Sequence, residues 1–90
     1  MKIIDLKKNI VKILDANKAN DIIAINLKKK SYIADYMIIA SGTSSRHIQG
    51  LSEILITELK KMGLTNCRME GRESSDWKLV DAMDIIIHIF

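Results

Sequence analysis

Asp35-Tyr36-Met37-Ile38-Ile39-Ala40-Ser41-Gly42-Thr43-Ser44-Ser45-Arg46-His47 holds the key to the fold. Its first half, through Ala40, is apolar on both faces of an extended chain, as a strand in the middle of a sheet must be. Its second half breaks that run with a glycine and three hydroxyl residues, Thr43, Ser44 and Ser45, each able to cap a helix. Past the break, Ile48, Leu51, Ile54, Leu55, Leu59 and Met62 recur with helical spacing and form one apolar stripe. Lys60, Lys61 and Gly63 supply a helix stop. The stretch therefore reads as a buried strand feeding directly into an amphipathic helix.

Upstream, Ile3, Leu6, Ile10, Ile13 and Leu14 mark an earlier amphipathic helix, with Lys7, Lys8, Lys12 and Asp15 on its other side. Asn17-Lys18-Ala19-Asn20 ends it, with the asparagines suited to the left-handed cap conformation. Asp21 to Leu27 is rich in isoleucine and reads as a strand. Lys28-Lys29-Lys30-Ser31 is a charged turn, so this strand and the Asp35–Ala40 strand form an antiparallel hairpin. Downstream, Cys67 to Glu70 is a short strand and Gly71 to Asp76 a polar loop. Trp77 to Val80 and Asp84 to Phe90 are strands joined by a tight Asp81-Ala82-Met83-Asp84 turn. The order is helix, strand, strand, helix, strand, strand, strand. Strand two, helix two and strand three can form a right-handed crossover unit. The fold class is α/β, or α+β, with a mixed sheet and both helices packed on it.

Ninety residues fit one domain, 1–90, without repeats or linkers. A hydrophobic fraction of 48% supports a core, and 28% charged residues argue against disorder. Proline is absent, which leaves helices and strands uninterrupted. The net charge of +3 permits a polyanionic partner without demanding one. Eleven lysines stand against three arginines, Arg46, Arg68 and Arg72, a balance that argues against base-specific recognition of nucleic acid. The lone Cys67 can form neither an internal disulfide nor a zinc site. The N-terminus is amphipathic rather than a signal peptide, and no segment approaches the roughly eighteen continuous apolar residues of a membrane span. The expected location is the cytoplasm.

The turn from Ser41 to Ser45 at a strand-to-helix junction invites a phosphate-binding reading, because backbone N–H groups and the helix dipole there favour anions. It has one glycine and no Gly-Lys-Ser ending, so it is not a P-loop. The opening of nucleotidyltransferases is a nearer match, but those enzymes need a pair of carboxylates beside that loop to hold magnesium. The next acid after Gly42 is Glu53, inside the helix, and Asp81 with Asp84 has the wrong spacing. A plain capped helix is the favoured reading, and a nucleotide-binding protein or enzyme is the alternative function. His47, in the first turn of helix two, is expected to be exposed. His88 points opposite Ile87 and Ile89, either to solvent or as a satisfied core histidine. Neither has metal-binding spacing, and no catalytic residue, cofactor or metal is expected. The lysine turn reads first as a solvated hairpin tip and second as a contact for RNA phosphate. Trp77, the single tryptophan, shares a strand face with Leu79 and Asp81, while Lys78 and Val80 face the other way. It either caps the core under a helix or anchors an interface.

Read together, Asp21-Ile22, Asp35-Tyr36 with Ile38 to His47, Glu70-Gly71, Trp77-Lys78-Leu79-Val80-Asp81 and Asp84 to Phe90 resemble the Iojap or ribosomal silencing factor family, in order and spacing. The resemblance implies a nucleotidyltransferase-like sheet without the catalytic acids. It implies a translation repressor, not an enzyme, which binds the large ribosomal subunit through its ribosomal protein fourteen and sterically blocks joining of the small subunit. On that reading Trp77 and Leu79 supply the apolar contact, and Glu70, Asp81 and Tyr36 pair with basic groups of the ribosomal protein. Family members usually continue past the His88-x-Phe90 strand with an arginine, a tyrosine and a Leu-Glu pair; the 90 residues stop before that tail. A homodimer through an exposed strand edge is compatible with the same reading.

Overall fold

A computed structural model describes residues 2–90. Helix α1 spans Ile3–Ala16, strand β1 Asn20–Asn26, β2 Tyr36–Ser41, helix α2 Ser45–Lys61, β3 Arg68–Glu70, β4 Lys78–Asp81 and β5 Ile85–Ile89. The two helices and five strands appear in the expected order, and the fold is α+β with a mixed sheet. The sheet order is β1-β2-β5-β4-β3. All neighbours are antiparallel except β2 and β5, which run parallel.

Because β4 is antiparallel to both β5 and β3, β3 runs in the same direction as β2, and the two strands joined through α2 are parallel members of one sheet, as expected of a crossover unit, with β5 and β4 between them. The sequences explain which strand sits beside β2. Ile85-Ile86-Ile87-His88-Ile89 is apolar on both faces and suits an interior strand. Arg68-Met69-Glu70 is three residues long with charged side chains on one face, and it occupies the sheet edge.

Alternation along the strands then sorts every side chain. Tyr36, Ile38 and Ala40 of β2, Ile85, Ile87 and Ile89 of β5, and Lys78 and Val80 of β4 are buried on one face. Leu6, Ile10 and Leu14 of α1 and Ile48, Leu51, Leu55 and Leu59 of α2 complete the same core. Both helices thus lie on that one side of the sheet.

The helix ends are built alike. Helix α2 starts at the N-cap Ser44, whose Oγ accepts the His47 backbone N–H at 3.1 Å. It ends with Gly63 at φ 90, Gly63 N–H donating to Lys60 O and Leu64 N–H to Leu59 O, both at 3.0 Å. Helix α1 ends with the same pair of bonds, Lys18 N–H to Asp15 O at 3.1 Å and Ala19 N–H to Leu14 O at 3.0 Å. The left-handed residue there is Lys18, at φ 66. The asparagines do not take that role. Asn17 is the C-cap, and its side-chain Nδ2 donates to Ile13 O at 2.8 Å.

His47 is half-buried rather than exposed. Its Nδ1 accepts the Thr43 backbone N–H at 2.9 Å, so that nitrogen carries no proton, and Nε2 donates to Asn17 O at 2.8 Å. The ring ties the end of α1 to the start of α2. Among the described residues no helix is long and apolar enough to cross a membrane.

Candidate functional site: the open face of the sheet

Because both helices cover one side, the other side of the sheet has no covering helix or strand among the described residues. Its side chains follow from the register. One row crosses all five strands as Ile23, Ile39, His88, Leu79 and Glu70. The next row runs Ile25, Met37, Ile86, Asp81 and Arg68. The face is apolar on β1 and β2, carries His88 on β5 and Asp81 beside Leu79 on β4, and ends in the charged side chains of β3.

Trp77 closes the face at one end. It is 39% exposed, and Phe90 beside it is 50% exposed. The His88 ring stands between them, edge-on to both, with centroids 6.3 Å from Trp77 and 6.0 Å from Phe90. Of the two readings open for Trp77, the core cap fails, because no helix lies on this side. Its ring instead lies against the backbone of Gly71. A Cβ built on Gly71 would come within 2.8 Å of Cε3, Cζ3 and the carbonyl oxygen of Trp77. A surface recess of about 530 Å³ runs beside the ring, lined in part by Glu70, Arg72 and Glu73.

Lys78 supports this arrangement from beneath. It is only 2% exposed, and its ammonium donates to Ser74 O in the 71–76 loop. Ser74 Oγ in turn accepts the backbone N–H groups of Asp76 at 3.1 Å and Trp77 at 3.3 Å. A charged group taken out of water must find such partners, and here the partner is the loop that carries the tryptophan.

The expected site residues separate into two groups. Trp77, Leu79, Asp81 and Glu70 share the open face. Asp81 already uses one oxygen, Oδ1, to accept Met83 N–H at 2.9 Å in the β4–β5 turn. Tyr36 does not join them. Its position in β2 has the parity of Ile38 and Ala40, so it is 6% exposed on the helix side, with the ammonium groups of Lys7 and Lys28 at 5.3 and 5.9 Å from its ring centre. Three members of the face carry little signal in the sequence: Ile39 and Ile86 look like core isoleucines, and His88 looks like an isolated polar residue. Only the knowledge of which face the helices leave bare picks them out.

The Ser41–Ser45 turn has a structural explanation. A Cβ at Gly42 would meet Ile48 Cγ1 at 2.8 Å, so glycine is needed for α2 to approach. Gly42 N–H donates to Phe90 O at 2.8 Å, and Thr43 N–H is taken by His47. These N–H groups already have acceptors and do not converge on an anion. Among the described residues no cluster of three histidine, cysteine or acidic side chains could hold a metal ion.

The comparisons with known proteins bear on the whole chain. The Ribosomal silencing factor RsfS of Haemophilus influenzae is 43% identical over 76 residues, covering 84% of this chain and 74% of that protein. The Ribosomal silencing factor RsfS of Zymomonas mobilis is 44% identical over 85 residues, covering 94% of this chain and 64% of that protein. A crystal structure of a Chromobacterium violaceum protein superposes with a TM-score of 0.94 at 33% identity, covering all of this chain and 75% of that one. The family model described as "Ribosomal silencing factor during starvation" matches residues 1–90, and the chain belongs to that family.

Proposed function

We propose that this protein represses translation by binding, not by catalysis: the open face of its sheet docks on the large ribosomal subunit, through its ribosomal protein fourteen, and the bulk of the domain keeps the small subunit away. The observation that carries this reading is the uncovered, largely apolar row of Ile23, Ile39, His88 and Leu79, with Trp77 beside it against the His88 ring and Glu70 and Asp81 at the rim. A tryptophan at the end of an apolar patch is a common energetic centre of interfaces, and acidic groups at the rim complement a basic ribosomal protein. An interface of about 800 Å² on each partner is a standard size for such a contact. The family relationship supports a ribosomal target.

The test is co-sedimentation with purified large subunits, followed by an assay of subunit joining. The wild-type chain should travel with the large subunit and suppress joining. Trp77→Ala should weaken binding by about 2–4 kcal/mol, roughly 30- to 1,000-fold. A folded Trp77→Ala protein that co-sediments as well as wild type refutes the assignment of the face.

A further inference from the structure

Residues 2–30 carry eight of the eleven lysines and only three acids, Asp5, Asp15 and Asp21. The rest of the chain carries six basic residues and eight acidic ones. The net positive charge therefore resides in α1 and the β1–β2 hairpin. The fold concentrates it further. Tyr36 lies where the first turns of α1 meet the hairpin tip, and its ring draws in Lys7 from the helix and Lys28 from the turn. Lys8 lies beside Lys7, while Lys29 and Lys30 continue the tip, and all three are exposed. The one ion pair recorded among the described residues, Lys61 with Glu58 at 3.4 Å, lies elsewhere, on α2. Among the described residues, none of the lysines at this corner has a carboxylate within salt-bridge distance. Like charges held together without counter-charge repel, and a polyanion relieves that repulsion.

We propose that this corner, Lys7, Lys8 and Lys28 to Lys30, is a second contact surface, and that its partner is the phosphate backbone of RNA beside the protein-binding site on the large subunit. The inference deepens the docking proposed above and rests on it for the location of that RNA. Lysines without arginine supply charge and no base readout, so the contact is indifferent to sequence. The corner is separate from the Trp77 face: Tyr36 beneath it is on the helix side of the sheet, and Trp77 is on the other.

The experiment measures binding of the full chain to large subunits over a salt series, for wild type and for a variant with Lys7, Lys8, Lys28, Lys29 and Lys30 each changed to Gln. A second variant changes only Lys28, Lys29 and Lys30, which leaves the Lys7 contact with Tyr36 intact. Each phosphate contact steepens the logarithmic salt dependence by about 0.7–0.9, so a wild type making three contacts loses about 20- to 40-fold in affinity between about 50 and 200 mM salt. The five-lysine variant should bind more weakly at low salt and lose most of that slope, and the three-lysine variant should lose part of it. Both should bind isolated ribosomal protein fourteen as wild type does. An unchanged slope overturns the proposal, as does weakened binding to the isolated ribosomal protein. Capture of wild type by anionic lipid vesicles and not by naked duplex RNA, with no change in subunit binding by the variants, assigns the corner to membrane and also overturns it. Trp77→Ala serves as the separating control: if it binds subunits normally while the lysine variants lose their slope, the face assignment fails and the phosphate contact stands.

Discussion

Two glycines in left-handed backbone, one crowded and one free, allow the seat of Trp77 to be weighed. Gly63 at φ 90 has nothing within 4 Å of where a Cβ would stand. Gly71 at φ 81 would place that Cβ 2.8 Å from two ring carbons and the carbonyl oxygen of Trp77. Replacing Gly63 with alanine then costs only the conformational penalty of a left-handed L-residue, about 1–2 kcal/mol, less about 0.4–1 kcal/mol of reduced unfolded-state entropy. The expected loss is about 1 kcal/mol, or about 4–8 °C in Tm for a domain of this size. Gly71→Ala carries the same penalty and adds forced displacement of the indole, an overpacking cost of about 1–3 kcal/mol. Its total should be about 2–4 kcal/mol. Urea and thermal unfolding followed by circular dichroism give both values. Fluorescence of the sole tryptophan reports separately on the ring, which should shift in Gly71→Ala and stay unchanged in Gly63→Ala. Binding to large subunits should weaken in Gly71→Ala even well below its Tm. Equal destabilisation by the two substitutions, with unaltered fluorescence, would refute the seating of Trp77 on Gly71.

Lys18→Gly should raise stability by about 1 kcal/mol, since Lys18 holds the left-handed position that Gly63 fills at the end of α2; thermal unfolding checks it. His47→Ala should lower stability by about 1–3 kcal/mol through loss of the two bonds that tie α1 to α2, and exchange of the Thr43 amide hydrogen should quicken. Lys78→Met should leave the fold intact, because an apolar chain of similar length fills the same core space. It should also loosen the 71–76 loop, seen as weaker large-subunit binding and altered tryptophan emission. Burial pushes the Cys67 thiol up from 9.0, the Asp81 carboxylate adds to the rise, and Lys60 opposes it. The folded protein therefore holds this proton more tightly than the unfolded chain. Its contribution to stability is complete below the unfolded value and is lost as pH rises through the folded one. Urea midpoints of wild type should fall more steeply above about pH 9 than those of Cys67→Ser.

Local periodicity made the elements legible. The stripe from Ile48 to Met62 and the run from Tyr36 to Ala40 are strong enough to define a helix and a buried strand without tertiary context. Strand pairing is a different kind of information. The crossover from β2 through α2 to Arg68–Glu70 was legible, but not that β5 and β4 lie between the two strands, with the isoleucine-rich Ile85–Ile89 beside β2. The site was half legible for a related reason. Alternation correctly grouped Trp77 with Leu79 and Asp81 and opposed them to Lys78 and Val80. Which group meets the helices depends on the whole sheet, and Tyr36 fell on the wrong side of that choice. The burial of Lys78 was hidden because a lysine reads as surface, whereas its stem is core and its ammonium a loop anchor. His47 was hidden likewise: its acceptor, Asn17 O, is thirty residues away in sequence and is brought close only by the packing of α1 beside α2.

An apolar sheet face left open to water is also a hazard, and the edges of this sheet bear on how it is contained. Beta-1 borders the sheet on one side with Asn20, Asp21 and Asn26, and its pairing with β2 is irregular between Asn20 and Ile23, where Asp21 adopts φ 52. An irregular, polar edge is a poor template for another strand. Beta-3, on the other side, is three residues long and presents Arg68 and Glu70. Neither edge offers a long flat ladder, so pairing of two copies through strand edges is disfavoured relative to docking through the face. The most exposed large apolar side chains of that face lie near its margins, Ile23 at 54% and Phe90 at 50%, whereas Ile39, His88 and Leu79 in the row between are half-buried. The free protein therefore tolerates the face in water, while a partner gains most by covering its ends. Because β1 contributes Ile23 and Ile25 to the face and leads into the lysine turn, the hairpin joins the apolar contact directly to the cationic corner. That pair of chemistries suits a basic protein lying beside exposed phosphate.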